Sequence, residues 1–366
     1  MLRSLIGGLV IMALAVSAAD SDVVLNLEPT QDNPRNSEGA FATLKNGRIV
    51  LLYTQFYGGT HDESPARVAE VHSDDKGATW SAPSVAIEND GKQNIMSVSL
   101  LRLASGKIAL VYLVKNSWTD CRPVFRVSTD EMKTWTPPIL IAPEPQYYVV
   151  NNDRLVQLRS GRLLLPAAWH KSPDRKFHPH AVDCFFYSDD DGQTWKQAPA
   201  VLDVPATLKA GLQEPGVVEL DDGSLFGWAR TDGGCQYGFT SKDAGLNWTE
   251  PSASELKSPL SPASIKPFGD SKLLTIFNDH SGQFEFPKNK RTPLVSAISA
   301  DGGRTWTNRK LIENDKDGWY CYTAIHFVDD FVLLAYCAGD SKVGGLNRLR
   351  IRRVKRAWLE SQEPRP

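Results

Sequence analysis

The stretch Ser188–Trp195, SDDDGQTW, places three carboxylates in a row. Adjacent acids can hold a cation or share a proton, so the stretch invites a reading as a metal loop or an acid cluster. Variants of it recur, however: SDDKGATW at Ser73–Trp80, STDEMKTW at Ser128–Trp135, SKDAGLNW at Ser241–Trp248 and SADGGRTW at Ser299–Trp306. The five tryptophans are separated by 55, 60, 53 and 58 residues. A chain has no use for five copies of one active site, and repetition at such a period is a mark of architecture. The other copies lack the matching acids, and no downstream glutamate completes a calcium loop, so no metal is implied. The box reads as a turn. Its third-position Asp accepts backbone N–H bonds, its Gly supplies a positive φ and its Trp anchors a hairpin.

The residues better suited to chemistry occur once. Aligning the chain on the turn glycines Gly47, Gly106, Gly161 and Gly223 brings Glu38, Ser97, Asn152 and Glu214 into register, each nine residues earlier. YTAIHFVDDF puts Tyr322 at the corresponding place in a later segment. These positions are mostly polar and open strands that are otherwise apolar, so together they predict a ring of polar groups suited to a substrate pocket. A carboxylate such as Glu214 is not placed at a buried strand start without a task or a partner. Arg230 ends the strand after Glu214, and a hairpin returns it to that residue. Arg291 lies eight residues before Ser299.

The intervening text is written in short strands: GRIVLLYTQF, GKIALVYLV, GRLLLPAAW, GSLFGWAR and VLLAYCAG. Turn pairs such as Asn46-Gly47 and Asp222-Gly223 introduce them, and no long amphipathic pattern interrupts. The fold class expected is all-β, a six-bladed β-propeller with four-stranded antiparallel blades. The five boxes account for five blades. Tyr320–Val354 supplies inner strands of a sixth, and the early strand DVVLNL completes that blade and closes the ring.

The box pattern SxDxGxTW resembles the Asp-box of sialidases and related bacterial neuraminidase repeat proteins, which are six-bladed propellers. The likeness spans nearly the whole chain after the first 19 residues, and the single-copy residues follow the same order. The resemblance implies Glu214 as the glutamate before the VVEL-DG strand, Arg230 and Arg291 as two carboxylate-binding arginines, and Tyr322, in YTAI, as the nucleophile. It implies Asp62 as the acid, with Glu63 its near rival. One element departs: the family opens on Arg-Ile-Pro about ten residues before the first turn Gly, whereas Arg35 lies twelve residues before Gly47 and Ser37 holds the aligned place. Arg35 would reach the pocket through a two-residue bulge, and Glu38 would then add negative charge beside an anion site.

The chemistry so implied is retaining hydrolysis of terminal sialic acid or a related 2-keto sugar acid from glycans. Arginines clamp the substrate carboxylate. A neutral Tyr nucleophile avoids repulsion by that carboxylate, Glu214 takes its proton, and Asp62 protonates the leaving oxygen and then activates water. Rival readings are a propeller lyase or other glycosidase acting on acidic polysaccharide, and a carbohydrate-binding propeller without activity. The histidine-bearing loops with Trp169, His170, His178 and His180, and with Asn278, Asp279 and His280, either overhang the pocket and bind sugar hydroxyls or are solvated.

Composition narrows the remainder. The 366 residues carry a net charge of −2, which gives no field for nucleic acid. The basic run Arg350–Arg356 alternates like a strand with one solvated face. Arg3 and the apolar run LIGGLVIMALAV, ending in SAAD, read as a secretory signal over residues 1–19. A single propeller would occupy residues 20–366, secreted or periplasmic, with no membrane span in the mature chain. No nucleotide or phosphate motif is present, so no cofactor is implied. Five cysteines cannot all pair. A hairpin around Asp329 would set Cys321 opposite Cys337, as a bridge or as two buried thiols.

Overall fold

A computed structural model describes residues 20–362, apart from 173 and 175. The secretory-signal expectation for residues 1–19 therefore falls outside the described residues. The regular structure of the described chain is nearly all short, mostly antiparallel strands, with one short helix at Arg356–Glu360.

Four sheets have four strands each, running in sequence order from the inner strand outward. The first comprises Arg35–Thr43, Ile49–Phe56, Ala66–Ser73 and Ser84–Ile87. Two others begin at Gln213–Glu219 and Ser264–Pro267. The last begins at Trp319–Val328, continues through Phe331–Gly339 and Leu349–Lys355, and takes its outer strand from Ser21–Leu27. The early strand thus completes the last sheet, as the sequence predicts, and Leu27 pairs with Leu349. The remaining nine strands form one sheet. It is two groups, Asn94–Leu140 and Tyr147–Leu202, joined where Tyr147 pairs in parallel with Cys121. The basic run forms the strand Leu349–Lys355, and its Arg350 and Arg352 both reach Glu313.

The inner strands pack on one another. Arg35–Thr43 lies against both Asn94–Arg102 and Trp319–Val328, and Ser264–Pro267 lies between Gln213–Glu219 and Trp319–Val328. The core lies between neighbouring sheets. Phe41, Leu51 and Tyr53 of the first sheet meet Ala324, Leu333 and Ile351 of the last.

The octapeptide boxes staple these sheets together. In Ser188–Trp195, Asp190 Oδ1 accepts from Ser188 Oγ and from the Thr194 backbone N–H, each at 2.8 Å, and Trp195 Nε1 donates to the Gly192 carbonyl at 3.1 Å. Gly192 needs its φ of 87°, and a Cβ there would lie 2.1 Å from Phe125 of the preceding group of strands. Gly303 approaches Phe226 in the same way. Glycine therefore serves both the turn and the close approach of the next sheet. The box at Ser128–Trp135 keeps the geometry with Met132 at φ 66°.

Candidate active site

A single local device positions the pocket residues. At the start of four inner strands the ladder slips, between Ser37 and Gly39, Met96 and Ser99, Gln213 and Gly216, and Cys321 and Ala324. Each slip is a β-bulge that holds a residue in the left-handed region: Glu38 at φ 41°, Ser97 at 61°, Glu214 at 52° and Tyr322 at 60°. Such conformations cost non-glycine residues about 1 kcal/mol or more and cluster where function needs a side chain re-aimed. The bulges fall on the positions that sequence alignment brought into register. The third repeat differs: its left-handed residue is Asp153 (φ 58°), one position past Asn152.

The bulges bring Glu214 and Tyr322 together, with Tyr322 Oη donating to Glu214 Oε1 at 3.3 Å. Both are buried. Arg230 returns along its hairpin as predicted, with Nε 3.2 Å from Glu214 Oε2 and Nη2 donating to Gln213 Oε1 at 2.8 Å. The Arg291 guanidinium lies 5.4 Å from the centres of the Tyr322 and Trp319 rings. Burial raises the Tyr322 phenol, and the negative charge of Glu214 raises it further against the pull of Arg230 and Arg291. The phenol therefore keeps its proton at neutral pH unless Glu214 accepts it.

Arg35 joins this cluster, but not by a two-residue bulge. The slip is one residue long, and Arg35 precedes it at the head of its strand. It is 2% exposed, with its guanidinium stacked 4.3 Å from the Phe56 ring centre. Its Nη1 donates to Asp62 Oδ1 at 2.6 Å and to the Thr60 carbonyl at 3.1 Å, and its Nη2 is 3.9 Å from Glu38 Oε1. Burial alone would raise the Asp62 carboxyl, but Arg35 outweighs it and holds the group below the ordinary carboxylate range. Among the described residues, Glu63 makes no hydrogen bond or ion pair with the cluster.

Arg35 Nε, Arg230 Nη1 and Arg291 Nη1 are buried without hydrogen-bond partners, as is Asn152 Oδ1. Buried donors are ordinarily satisfied, so three guanidinium groups that each keep one unfilled donor in one cluster are suited to an anion. Asn152 acts chiefly as a brace, with its Nδ2 donating to the carbonyls of Gly39 and Tyr322 at 2.7 and 3.0 Å.

The loop histidines have structural partners. His170 Nδ1 meets the His178 carbonyl at 2.8 Å, and burial lowers its ring to about 4. His178 pairs with Asp174 and His180 with Asp203, both at 2.7 Å. His280 Nε2 contacts the Thr292 carbonyl at 3.1 Å, and buried Asp279 pairs with Arg309. Asn278 donates to the Pro293 carbonyl, and Trp169 to Gln146 Oε1.

Sequence reasoning missed the residues that hold the Asp62 loop. Asn94 Nδ2 donates to the Asp62 and Ser64 carbonyls at 2.7 and 3.0 Å, and buried Lys115 Nζ donates to the Asp62 carbonyl at 3.2 Å. Lys115 also lies 4.2 Å over the ring of Trp118, which with Phe177 and Tyr147 forms a partly exposed aromatic wall. A lysine in the apolar text VYLVKNSW was the available signal. Cys321 and Cys337 are opposed, as the hairpin predicts, and all five cysteines are free thiols.

These sheets and this cluster define a protein of the sialidase and BNR-repeat superfamily. The BNR repeat-like domain matches residues 52–334, and the chain belongs to that family. It is 27% identical over 218 residues to a sialidase of Bacteroides fragilis, a match covering 56% of this chain and 37% of that one. The chain thus spans little more than a third of this relative. A solved protein of unknown function from Dyadobacter fermentans superposes with a TM-score of 0.72 at 18% identity, covering 92% of this chain and all of that one. The intramolecular trans-sialidase of Ruminococcus gnavus gives 0.72 at 16% identity over 95% of this chain and all of that one. At such identities the likeness is one of fold.

Proposed function

We propose that the protein is an exported exo-glycosidase of sialidase type, which hydrolyses terminal sialic acid or a related 2-keto sugar acid from glycans with retention of configuration. Its architecture in this reading is a single six-bladed propeller over residues 20–366, the nine-stranded sheet counting as two blades, with residues 1–19 as the export signal. The observation that carries the reading is the set of unfilled guanidinium donors on Arg35, Arg230 and Arg291 beside the Tyr322–Glu214 pair.

The substrate carboxylate sits among the arginines, which places the anomeric carbon over Tyr322. Tyr322 Oη attacks that carbon while its proton passes to Glu214 Oε1. Once displaced from Arg35, Asp62 takes up a proton from solvent, gives it to the departing glycosidic oxygen, then removes one from the water that releases the sugar. Asp62 must first be loosened from Arg35, and the incoming carboxylate is the group that can displace it.

Purified protein should release the fluorophore from an umbelliferyl sialoside or from the corresponding ketoaldonic acid glycoside. Silence on both, with cleavage of a neutral or uronic acid glycoside, would reject the assignment.

A further inference from the structure

Glu38 is unexplained by the scheme above. It occupies the bulge position of its strand, equivalent to those of Glu214 and Tyr322, and its side chain is 5% exposed. Its Oε2 accepts from Ser97 Oγ at 2.8 Å, and its Oε1 lies 3.9 Å from Arg35 Nη2. The ladder slip and the left-handed φ aim a carboxyl group at the place where the function reading puts an anion.

The groups facing it set the electrostatics. Arg35 is the cation, but Asp62 already occupies that guanidinium at 2.6 Å. The Cys337 thiol lies behind, 3.2 Å from Ser37 Oγ, and Tyr322 and Ser97 face it from their own strands. A substrate carboxylate taking Arg35, even as it displaces Asp62, would share one guanidinium with Glu38 and leave Asp62 close by. Carboxylates this close cannot all remain ionised. Glu38 is the one placed to hold the proton, because it is buried and lacks a close ion pair, and the single Ser97 hydroxyl that favours its charged form does not offset the burial.

We propose that Glu38 is a specificity-determining residue of the anion seat, such that a sugar carboxylate enters only together with a proton on Glu38. The proposal rests on the sialidase-type reading of the site and deepens it. Burial pushes the Glu38 carboxyl up to about 8 against the opposing pull of Arg35, so the free protein holds this proton at neutral pH and surrenders it in mild alkali. The neutral acid can also donate to a substrate oxygen, which an ionised one cannot.

Affinity for a carboxylate ligand should be flat below that value and fall about tenfold per pH unit above it. The probe is free N-acetylneuraminate, with its methyl ester as the neutral control, titrated by calorimetry from pH 6 to 10 in two buffers of different ionisation enthalpy. Wild type should take up a fraction of a proton that rises from near zero at pH 6.5 to nearly one at pH 9. Glu38→Gln keeps the shape and the Ser97 contact, and it should bind the acid with no uptake and no alkaline loss. Ester binding should be insensitive to the substitution. An identical alkaline loss in both proteins, or no proton uptake by wild type, overturns the role of Glu38 while leaving the anion seat standing. Failure of both folded proteins to bind the acid at any pH overturns the seat itself, and the proposal with it.

Discussion

Tyr322 and Glu214 are 108 residues apart in sequence, yet they meet at 3.3 Å because each sits on a bulge at the start of an inner strand. Neither side chain would point along its present direction in a regular ladder, where successive residues alternate faces. Arg230 then fixes the glutamate from its other oxygen at 3.2 Å. In the proposed reaction this sets an otherwise unreactive phenol beside the base that takes its proton.

Tyr322→Phe and Glu214→Gln should each lower turnover of a cleaved glycoside by roughly 10²–10⁴-fold. Binding of the free sugar acid should change little, because neither substitution removes an arginine. Comparing kcat with a calorimetric Kd checks this. Loss of binding in step with turnover would make the pair a structural element only.

Asp62 predicts a dependence on the leaving group. A group that protonates the departing oxygen matters most when that oxygen is basic. Asp62→Asn should therefore depress cleavage of a natural disaccharide glycoside by on the order of 10–10³-fold more than cleavage of an activated aryl glycoside. Equal losses on both substrates would remove Asp62 from the acid role and return attention to Glu63.

The boxes predict the opposite profile. Asp190→Ala removes acceptors for Ser188, Thr194 and the turn backbone, which should cost about 1–2 kcal/mol. The Tm should fall by a few degrees while kcat and KM stay near wild type. Hydrogen bonds from Thr79, Thr134 and Thr194 hold Asp75, Asp130 and Asp190 at about 2, below their unfolded value. For a carboxylate with a depressed folded pKa, the stabilisation is complete above the unfolded value and vanishes as pH falls through the folded one. Melting temperature should therefore drop between about pH 4 and pH 2, and less steeply in the Asp190→Ala protein.

The strands, their turns and the completion of the last sheet by Ser21–Leu27 were legible because local pattern dictates them. Alternating apolar text and turn glycines need no knowledge of distant contacts. The bulge residues were legible for a different reason: repeats share geometry, so a polar residue at one fixed offset from each turn stands out. Three features were not readable. Arg35 reaches Asp62 from the head of its strand by a slip of one residue, and a slip leaves no mark in composition. Asn152 looked like a ligand-binding amide, but its Nδ2 spans two backbone carbonyls from strands that only the tertiary fold brings together. The histidines of the long loops read equally as sugar contacts or as solvated residues, and their acidic and carbonyl partners are set by loop conformations that no periodicity encodes.

Glu38 also makes a prediction about folding alone, independent of any ligand. Its folded value of about 8 lies above the 4.5 of an unburied glutamate. Between those values the folded chain binds a proton that the unfolded chain has released, so stability falls as pH rises through that window and levels off beyond it. A bulged, strained, buried acid is thus tolerated at a cost that grows toward neutrality, which is what a site retained for function rather than stability looks like. Glu38→Gln removes the proton linkage while preserving volume and the Ser97 contact. The variant should melt close to wild type at pH 4.5 and on the order of several degrees higher at pH 8. Melting curves of the two proteins across that range check this, and parallel curves would show that Glu38 is already ionised and compensated in the unliganded fold.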